Sequence, residues 1–366
     1  MRELFVNLSA QADNLGDIVI RRSVLDWLAD DLEYSFRLVV FAGDMPDDYL
    51  QAYSLDRFNS EVHRNPVRYQ KALMKSMLLG RADLFFLPGP VSYRTDLAAS
   101  RVTAEELVKS GTFVGNAGMV RARGGSVFTL GRAVRGGTFA TLALENILCH
   151  FSNVYSVRDT VSKDLVRRAQ LAPDFGFSMD AIRCEDQRDL VSLSFRGDTS
   201  LDHQFLDRLI GSVRASGWEP VFVTQVLRDE GLHRMLSQRY GCQLVSWNLQ
   251  SRSFVEQLEQ IRSVYHRSRA VVSNRLHGLV LGMLGGSAPI PIVGPDNDKL
   301  LPTLRVVIDC CSLNPVSATI SEIDTALNEA SSPSEVYEAV GFATSMLECQ
   351  RRAVAGRLNA TMRKQR

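Results

Sequence analysis

Histidine is scarce in this chain, six residues in 366, and none stands in an H-E-x-x-H pair or in a close cluster with carboxylates. That set is a poor start for a zinc site, and no metal is expected. The six cysteines (Cys149, Cys184, Cys242, Cys310, Cys311, Cys349) are scattered and form no C-x-x-C pair. Adjacent thiols such as Cys310 and Cys311 do not make an ordinary metal clamp, so buried free thiols in a reducing compartment are expected. Also missing are the G-x-x-x-x-G-K-[ST] phosphate loop, a G-x-G-x-x-G after a strand and a G-x-S-x-G elbow. Without the glycine fingerprint a nicotinamide oxidoreductase is disfavoured, and no cofactor is expected. No stretch reaches the roughly 18 to 20 apolar residues that cross a bilayer. The opening MRELFVNLSAQADNLGD lacks the apolar run and small residues of a secretory signal, so a cytoplasmic protein is expected. Charge of one sign is lacking too: 42 basic against 41 acidic residues give a net +1. No bulk attraction to nucleic acid or membrane follows, and any electrostatic role must be local.

What is present is an ordinary globular composition, 45% apolar and 23% charged, in a chain long enough for two domains. Short apolar runs at 4–8, 37–42, 83–88, 113–114, 127–130 and 153–158 predict strands, with helices at 18–32 and 160–170. After a polar stretch beginning at Cys184, runs at 190–195, 220–224, 243–245, 270–272 and 289–293 predict a second series. Helical patterns at 203–216, 230–240, 254–265 and 278–284 lie between them. Strands alternating with helices predict parallel sheets covered on both faces. The expected fold class is therefore α/β, with two parallel-sheet domains and a cleft between them. Expected boundaries are 1–183, 184–330, and a helical segment 331–366 that packs back on the first domain. After Glu348 that segment carries Arg351, Arg352, Arg357, Arg363, Lys364 and Arg366 with no acidic residue. A solvated helix end is favoured for it over a peripheral contact with anionic lipid at the inner membrane face.

Ligands of parallel α/β sheets bind at the carboxyl ends of the strands, which is where four segments fall. Asn14, Gly16 and Asp17 sit at the first strand-to-helix junction, readable as a capped turn or as an anion site at a helix N-terminus. Arg275 and His277 follow the strand 270–272; the pair supplies a planar donor fork and a group that titrates near neutrality. Arg196 follows the strand 190–195, as a second anion contact or a surface arginine. Arg158 and Asp159 precede a helix and are read as structural, one paired with a carboxylate and the other capping. Asp96, beyond Pro88-Gly89-Pro90, and Lys299, beyond the loop that starts at Gly294, complete the candidates.

Taken in order, these segments resemble the polysaccharide pyruvyl transferase family. The early N-x-G-D is matched by Asn14, Gly16 and Asp17, and the mid-chain V-R-D with a following Ser by Val157, Arg158, Asp159 and Ser162. A D-x-x-F element is matched by Asp174 to Phe177, and the late R-x-H with a P-x-I strand by Arg275, His277 and residues 289–292. Where many relatives carry G-G-G with a following Asp, this sequence has Pro88-Gly89-Pro90. The resemblance implies two Rossmann-like domains of the GT-B kind, the first on the acceptor side and the second on the donor side. It implies phosphoenolpyruvate as co-substrate and a saccharide acceptor that is lipid-linked, nucleotide-linked or an oligosaccharide. It further implies donor binding by Arg275, Arg196, Lys299, Asn14 and Gly16, with His277 as general acid or phosphate partner. Asp96 or Asp17 is then the base for an acceptor hydroxyl. Two other readings stay open at this point: a GT-B glycosyltransferase using a nucleotide sugar, and a non-catalytic sugar- or anion-binding protein. Oligomeric state is left open as well.

Overall fold

Strands rich in Val, Leu and Phe bury both faces, and only a parallel sheet covered by helices lets them do so. The chain builds this arrangement twice. The computed structural model describes every residue except 10–12, 33–35, 93–99, 183–187, 200, 249–251, 295–299 and 364–366. Two compact units emerge. The first comprises Met1–Ala12, Ile20–Phe175 and Met346–Arg366; the second comprises Asp13–Val19 and Gly176–Ser345.

The first unit holds β1 (Glu3–Asn7), β2 (Arg37–Phe41), β3 (Asn59–His63), β4 (Ala82–Phe86), β5 (Gly89–Ser92), β6 (Val127–Arg135), β7 (Val154–Val157) and β8 (Gln170–Leu171). Their order is β3-β2-β1-β4-β6-β7-β8, with β5 continuing beside the far half of β6, and every pairing is parallel. All nine residues of β6 are buried, Arg132 and Arg135 among them. Gly131 takes φ +56° where the pairing of β6 with β7 slips, and a Cβ there would stand 2.7 Å from the Phe175 ring. Only glycine fits that break in the strand.

Buried charges in this unit are paired, as desolvation demands. Arg2 gives Nε and Nη2 to the Asp83 carboxylate at 2.5 and 2.7 Å, and Asp83 also accepts from Ser126 N at 2.7 Å. Arg158 donates to Asp174 at 2.7 Å. Asp159 caps the helix Thr160–Leu165 by accepting from Ser162 N at 2.8 Å and takes a second bond from Arg135 at 2.9 Å. The V-R-D element and its partners thus lie inside the first unit as framework. Arg351, near the chain's end, pairs with Asp31, and Leu347, Val354 and Leu358 of the same helix are buried.

The second unit holds β9 (Leu190–Ser194), β10 (Glu219–Val223), β11 (Gln243–Val245), β12 (Ser268–Ser273) and β13 (Ala288–Pro291), in the order β11-β10-β9-β12-β13 and again all parallel. Leu193 of β9 stands between Phe222 of β10 and Val272 of β12. The core around them takes Phe205, Leu209 and Val213 from the helix His203–Ala215, and Ile323 and Leu327 from the helix Ile320–Asn328.

Three expectations need correction. Phe113 and Val114 are not a strand; they lie within the helix Ser100–Ala122, where Phe113 meets the Phe86 ring edge-on at 5.6 Å. An isolated apolar pair carries no period, and the length of the surrounding proline-free run decides for helix. The helix after Asp159 stops at Leu165, because Val166 turns out of helical geometry into the core and β8 follows. Neither compact unit is a single unbroken stretch of chain. Residues Asp13–Val19 group with the second unit through backbone bonds given below, and the helix Pro333–Arg363 contributes to both. Of the described cysteines, all free, only Cys149 is buried; Cys311 and Cys349 are exposed. Among the described residues no helix is long and apolar enough to cross a membrane.

Removing Arg2 strands a buried carboxylate. Arg2→Met should therefore cost about 3–5 kcal/mol of unfolding free energy in a denaturant titration; a loss below about 1 kcal/mol would show that Asp83 finds compensation elsewhere.

Candidate functional site

In a doubly wound sheet the ligand crevice opens where the strand order reverses, outside the carboxyl ends of the two strands that part there. In the second unit those strands are β9 and β12. The segment leaving β9 is Phe195-Arg196-Gly197, and the segment leaving β12 is Asn274-Arg275-Leu276-His277. They are fastened to each other. Arg196 N donates to Asn274 Oδ1 at 2.8 Å, and Ser273 Oγ donates to Ser194 O at 2.6 Å while accepting from Arg275 N at 2.8 Å.

A third segment enters from beyond β10. Asp229 is 1% exposed, and its carboxylate receives Nε and Nη2 of Arg275 at 2.8 and 2.6 Å. The same carboxylate accepts from Gly197 N at 2.8 Å. One buried anion thus joins the loops that follow β9, β10 and β12. The Arg275 fork is fixed by this bidentate bond, with Nη1 outside it. Arg196 differs: it pairs with Asp198, and both side chains are substantially exposed, at 34% and 48%. Hydrogen bonding from Arg196 holds the Asp198 carboxyl down at about 2, well below the usual carboxylate range. An exposed pair of this kind is worth little, which sets Arg196 apart from Arg275.

The N-x-G-D segment arrives at the same place. Leu15 N donates to Gln225 O and Leu227 N to Asp13 O, each at 3.0 Å, and Asn14 bridges Val226 in antiparallel sense. Asn14 Oδ1 turns the chain by accepting from Gly16 N at 3.1 Å. Gly16 then faces the His277 ring so closely that an added Cβ would stand 2.0 Å from Nδ1 and 2.2 Å from Cγ. Asp17 is buried in the first turn of the helix Leu15–Asp31, where a carboxylate complements the positive helix end. The glycine of the first motif is the seat of the histidine of the last.

Beneath these loops lies a buried imidazole. His233 Nε2 accepts from Phe195 N at 2.9 Å, and Nδ1 meets Thr224 Oγ1 at 2.9 Å. Because Nε2 accepts, the proton is assigned to Nδ1. Burial pushes this histidine down to about 4, so it is a neutral strut at physiological pH.

The structure therefore brings together Asn14, Gly16, Arg196, Arg275 and His277, with Asp17 next in sequence to the contact. Asp96 and Lys299 lie outside the described residues. Among the described residues no three His, Cys, Asp or Glu side chains are grouped to hold a metal ion. Asp229 and His233 escape the sequence reading. Leu227-Arg228-Asp229-Glu230 looks like an ordinary helix start, and only the position of Asp229 after a strand hints at more.

With this geometry in view, the chain belongs to the polysaccharide pyruvyl transferase family, whose pattern matches residues 14–293. It is accordingly a transferase of polysaccharide modification. No curated protein matches it in sequence. Similar solved structures include HepE of Anabaena in complex with UDP, at TM-score 0.57 and 12% identity over 98% of this chain and 100% of that one. The UDP-GlcNAc 2-epimerase of Neisseria meningitidis, bound to UDP-GlcNAc, gives 0.51 and 9% over 95% and 99%. The lipopolysaccharide outer core galactosyltransferase WaaB gives 0.51 and 10% over 97% and 99%. At such identities the likeness concerns fold, and the fold is GT-B-like.

Two outcomes follow. Gly16→Ala should destabilise the protein by about 1–3 kcal/mol through overpacking against His277. In a His277→Ala background the same change should cost well under about 1 kcal/mol in a double-mutant unfolding cycle; equal costs in both backgrounds would remove the ring contact as the reason for glycine. For His233 the folded value near 4 lies below the unfolded value near 6.5, so its contribution is complete above about 6.5 and is lost as pH falls toward 4. The loss should be about 3 kcal/mol in that window and absent from the pH–stability profile of His233→Gln; parallel profiles would contradict the assignment.

Proposed function

We propose that the chain transfers the enolpyruvyl unit of phosphoenolpyruvate to two hydroxyls of a saccharide, forming a pyruvate ketal. The observation that carries the reading is the junction of Gly16 with His277 beside Arg275: segments from the two ends of the region that matches the family meet at one strand-order reversal. The reaction needs a proton on the methylene carbon and attack by one hydroxyl at the central carbon. Phosphate then leaves, a second hydroxyl closes the ring, and each hydroxyl releases its proton.

The donor carries a carboxylate and a phosphate, which suits guanidinium forks. In this reading Arg275, locked by Asp229, is the fixed reference for the donor, and Arg196 leaves Asp198 to close on it. Lys299 belongs to the same proposal. His277 protonates the methylene or the departing phosphate, with Gly16 keeping its ring in place. Asp17 is the described candidate for taking the acceptor proton, and Asp96 the other. The enzyme needs no further cofactor. The reaction takes place in the cytoplasm, on an acceptor that is lipid-linked, nucleotide-linked or an oligosaccharide.

A second reading has its own support. The HepE and epimerase structures hold UDP or UDP-GlcNAc, and an arginine serves a diphosphate as readily as phosphoenolpyruvate, so transfer from a nucleotide sugar is the alternative. Labelled phosphoenolpyruvate and a panel of nucleotide sugars, each offered with saccharide acceptors, separate the two. Phosphate release and label in the glycan should occur with phosphoenolpyruvate alone. His277→Ala should lower turnover about 10²- to 10⁴-fold with the fold retained, while Arg196→Ala should raise the donor KM more than it lowers kcat. Sugar transfer from a nucleotide, or an unchanged His277→Ala enzyme, would overturn the proposal.

A further inference from the structure

A face of the first unit, far in sequence from the residues above, has a character that an ordinary surface helix lacks. The helix Pro66–Leu78 starts under an Asn65 cap with proline in its first turn and turns Leu73, Ser76 and Met77 inward. Its outward side should be polar if water were its only neighbour. Instead Val67 and Leu78 are each 60% exposed, Met74 and Leu79 are exposed beside them, and Val108 on the helix Ser100–Ala122 is 71% exposed. Hydrophobic residues scattered singly need no explanation, but clustered ones mark an interaction surface. Val67, Met74, Leu78 and Leu79 line a groove of about 840 Å³ together with Lys71, Lys75 and Thr112. The two helices are joined there by reciprocal amide bonds between Gln70 and Asn116, at 3.0 and 3.3 Å, so the groove floor is fixed.

Charge selects the occupant. Residues 65–82 contain Arg68, Lys71, Lys75 and Arg81 and no acidic residue, in a chain whose net charge is only +1. All four are exposed, and among the described residues none of the four is in an ion pair. A second copy of the same face would bring like charges together, which disfavours a symmetric dimer through it. An apolar strip flanked by unpaired cations matches the boundary between anionic headgroups and acyl chains.

We propose that this face docks the protein on a membrane surface bearing anionic lipid, with Val67, Met74, Leu78 and Leu79 entering the headgroup–acyl boundary and Arg68, Lys71, Lys75 and Arg81 meeting phosphates. The inference stands apart from the donor chemistry and from the basic residues at the chain's end.

Cosedimentation of the full chain with vesicles tests it, using phosphatidylcholine alone and phosphatidylcholine with phosphatidylglycerol in equal parts. The protein should bind the mixed vesicles, weaken as salt rises, and bind the neutral ones poorly. Each basic residue near such a surface contributes about fivefold, so Lys71→Glu with Lys75→Glu should lose at least about 25-fold in affinity. Leu78→Ser with Leu79→Ser should also release the protein from mixed vesicles. Unchanged thermal unfolding checks that these exposed substitutions leave the fold intact. Wild type that stays in solution with both vesicles, or double variants that bind like wild type, would overturn the proposal. So would light scattering that shows a dimer, lost in Leu78→Ser with Leu79→Ser, without vesicle binding.

Discussion

A carboxylate that is 1% exposed keeps its charge only if partners replace water on every side, and the candidate site is organised around that requirement at Asp229. Its oxygens hold the Arg275 fork and the Gly197 amide, which fixes the loops leaving three adjacent strands with respect to one another. The turn that contains Val226, just before Asp229, also carries the bridge to Asn14. His233, neutral because burial disfavours its cation, props the Phe195 amide from below. Preorganisation of this kind lets a cationic group act without reorganising during a reaction.

The two arginines that sequence suggests as equivalent clamps are physically unlike. Arg275 is spoken for by a buried acid and is a fixed feature; Arg196 sits in an exposed pair that solvent already weakens. Breaking the Arg196 pair leaves Asp198 to water, whereas breaking the Arg275 pair would strand a buried carboxylate.

Much of the fold was legible in the chain. The strands of the second unit fall within a residue or two of the Val-, Leu- and Ile-rich runs that suggest them, since strands buried on both faces cannot be polar. The edge strand β3 was illegible for the converse reason: Asn59–His63 buries nothing fully and shows no apolar run. The helices Pro66–Leu78 and Ile320–Asn328 carried readable starts, an Asn-Pro step and a Thr319–Glu322 capping box, that apolar periodicity alone passes over. In the site, Arg275 and His277 were visible because a strand end precedes them. The dependence of His277 on Gly16 was not, because it rests on a strand order and a close approach that no local pattern encodes. Asp229 was hidden by resemblance to a helix cap, a role it does not play.

Pyruvyl transfer is the central proposal, and it rests on family membership and on the meeting of two family segments at one strand-order reversal. Mass analysis of surface glycans from cells with and without the gene tests it most directly. Glycans should lose their carboxyethylidene groups when the gene is removed and otherwise keep their sugar sequence. Glycans that retain those groups and instead lack a sugar would contradict it, and would place the protein among transferases that use a nucleotide sugar.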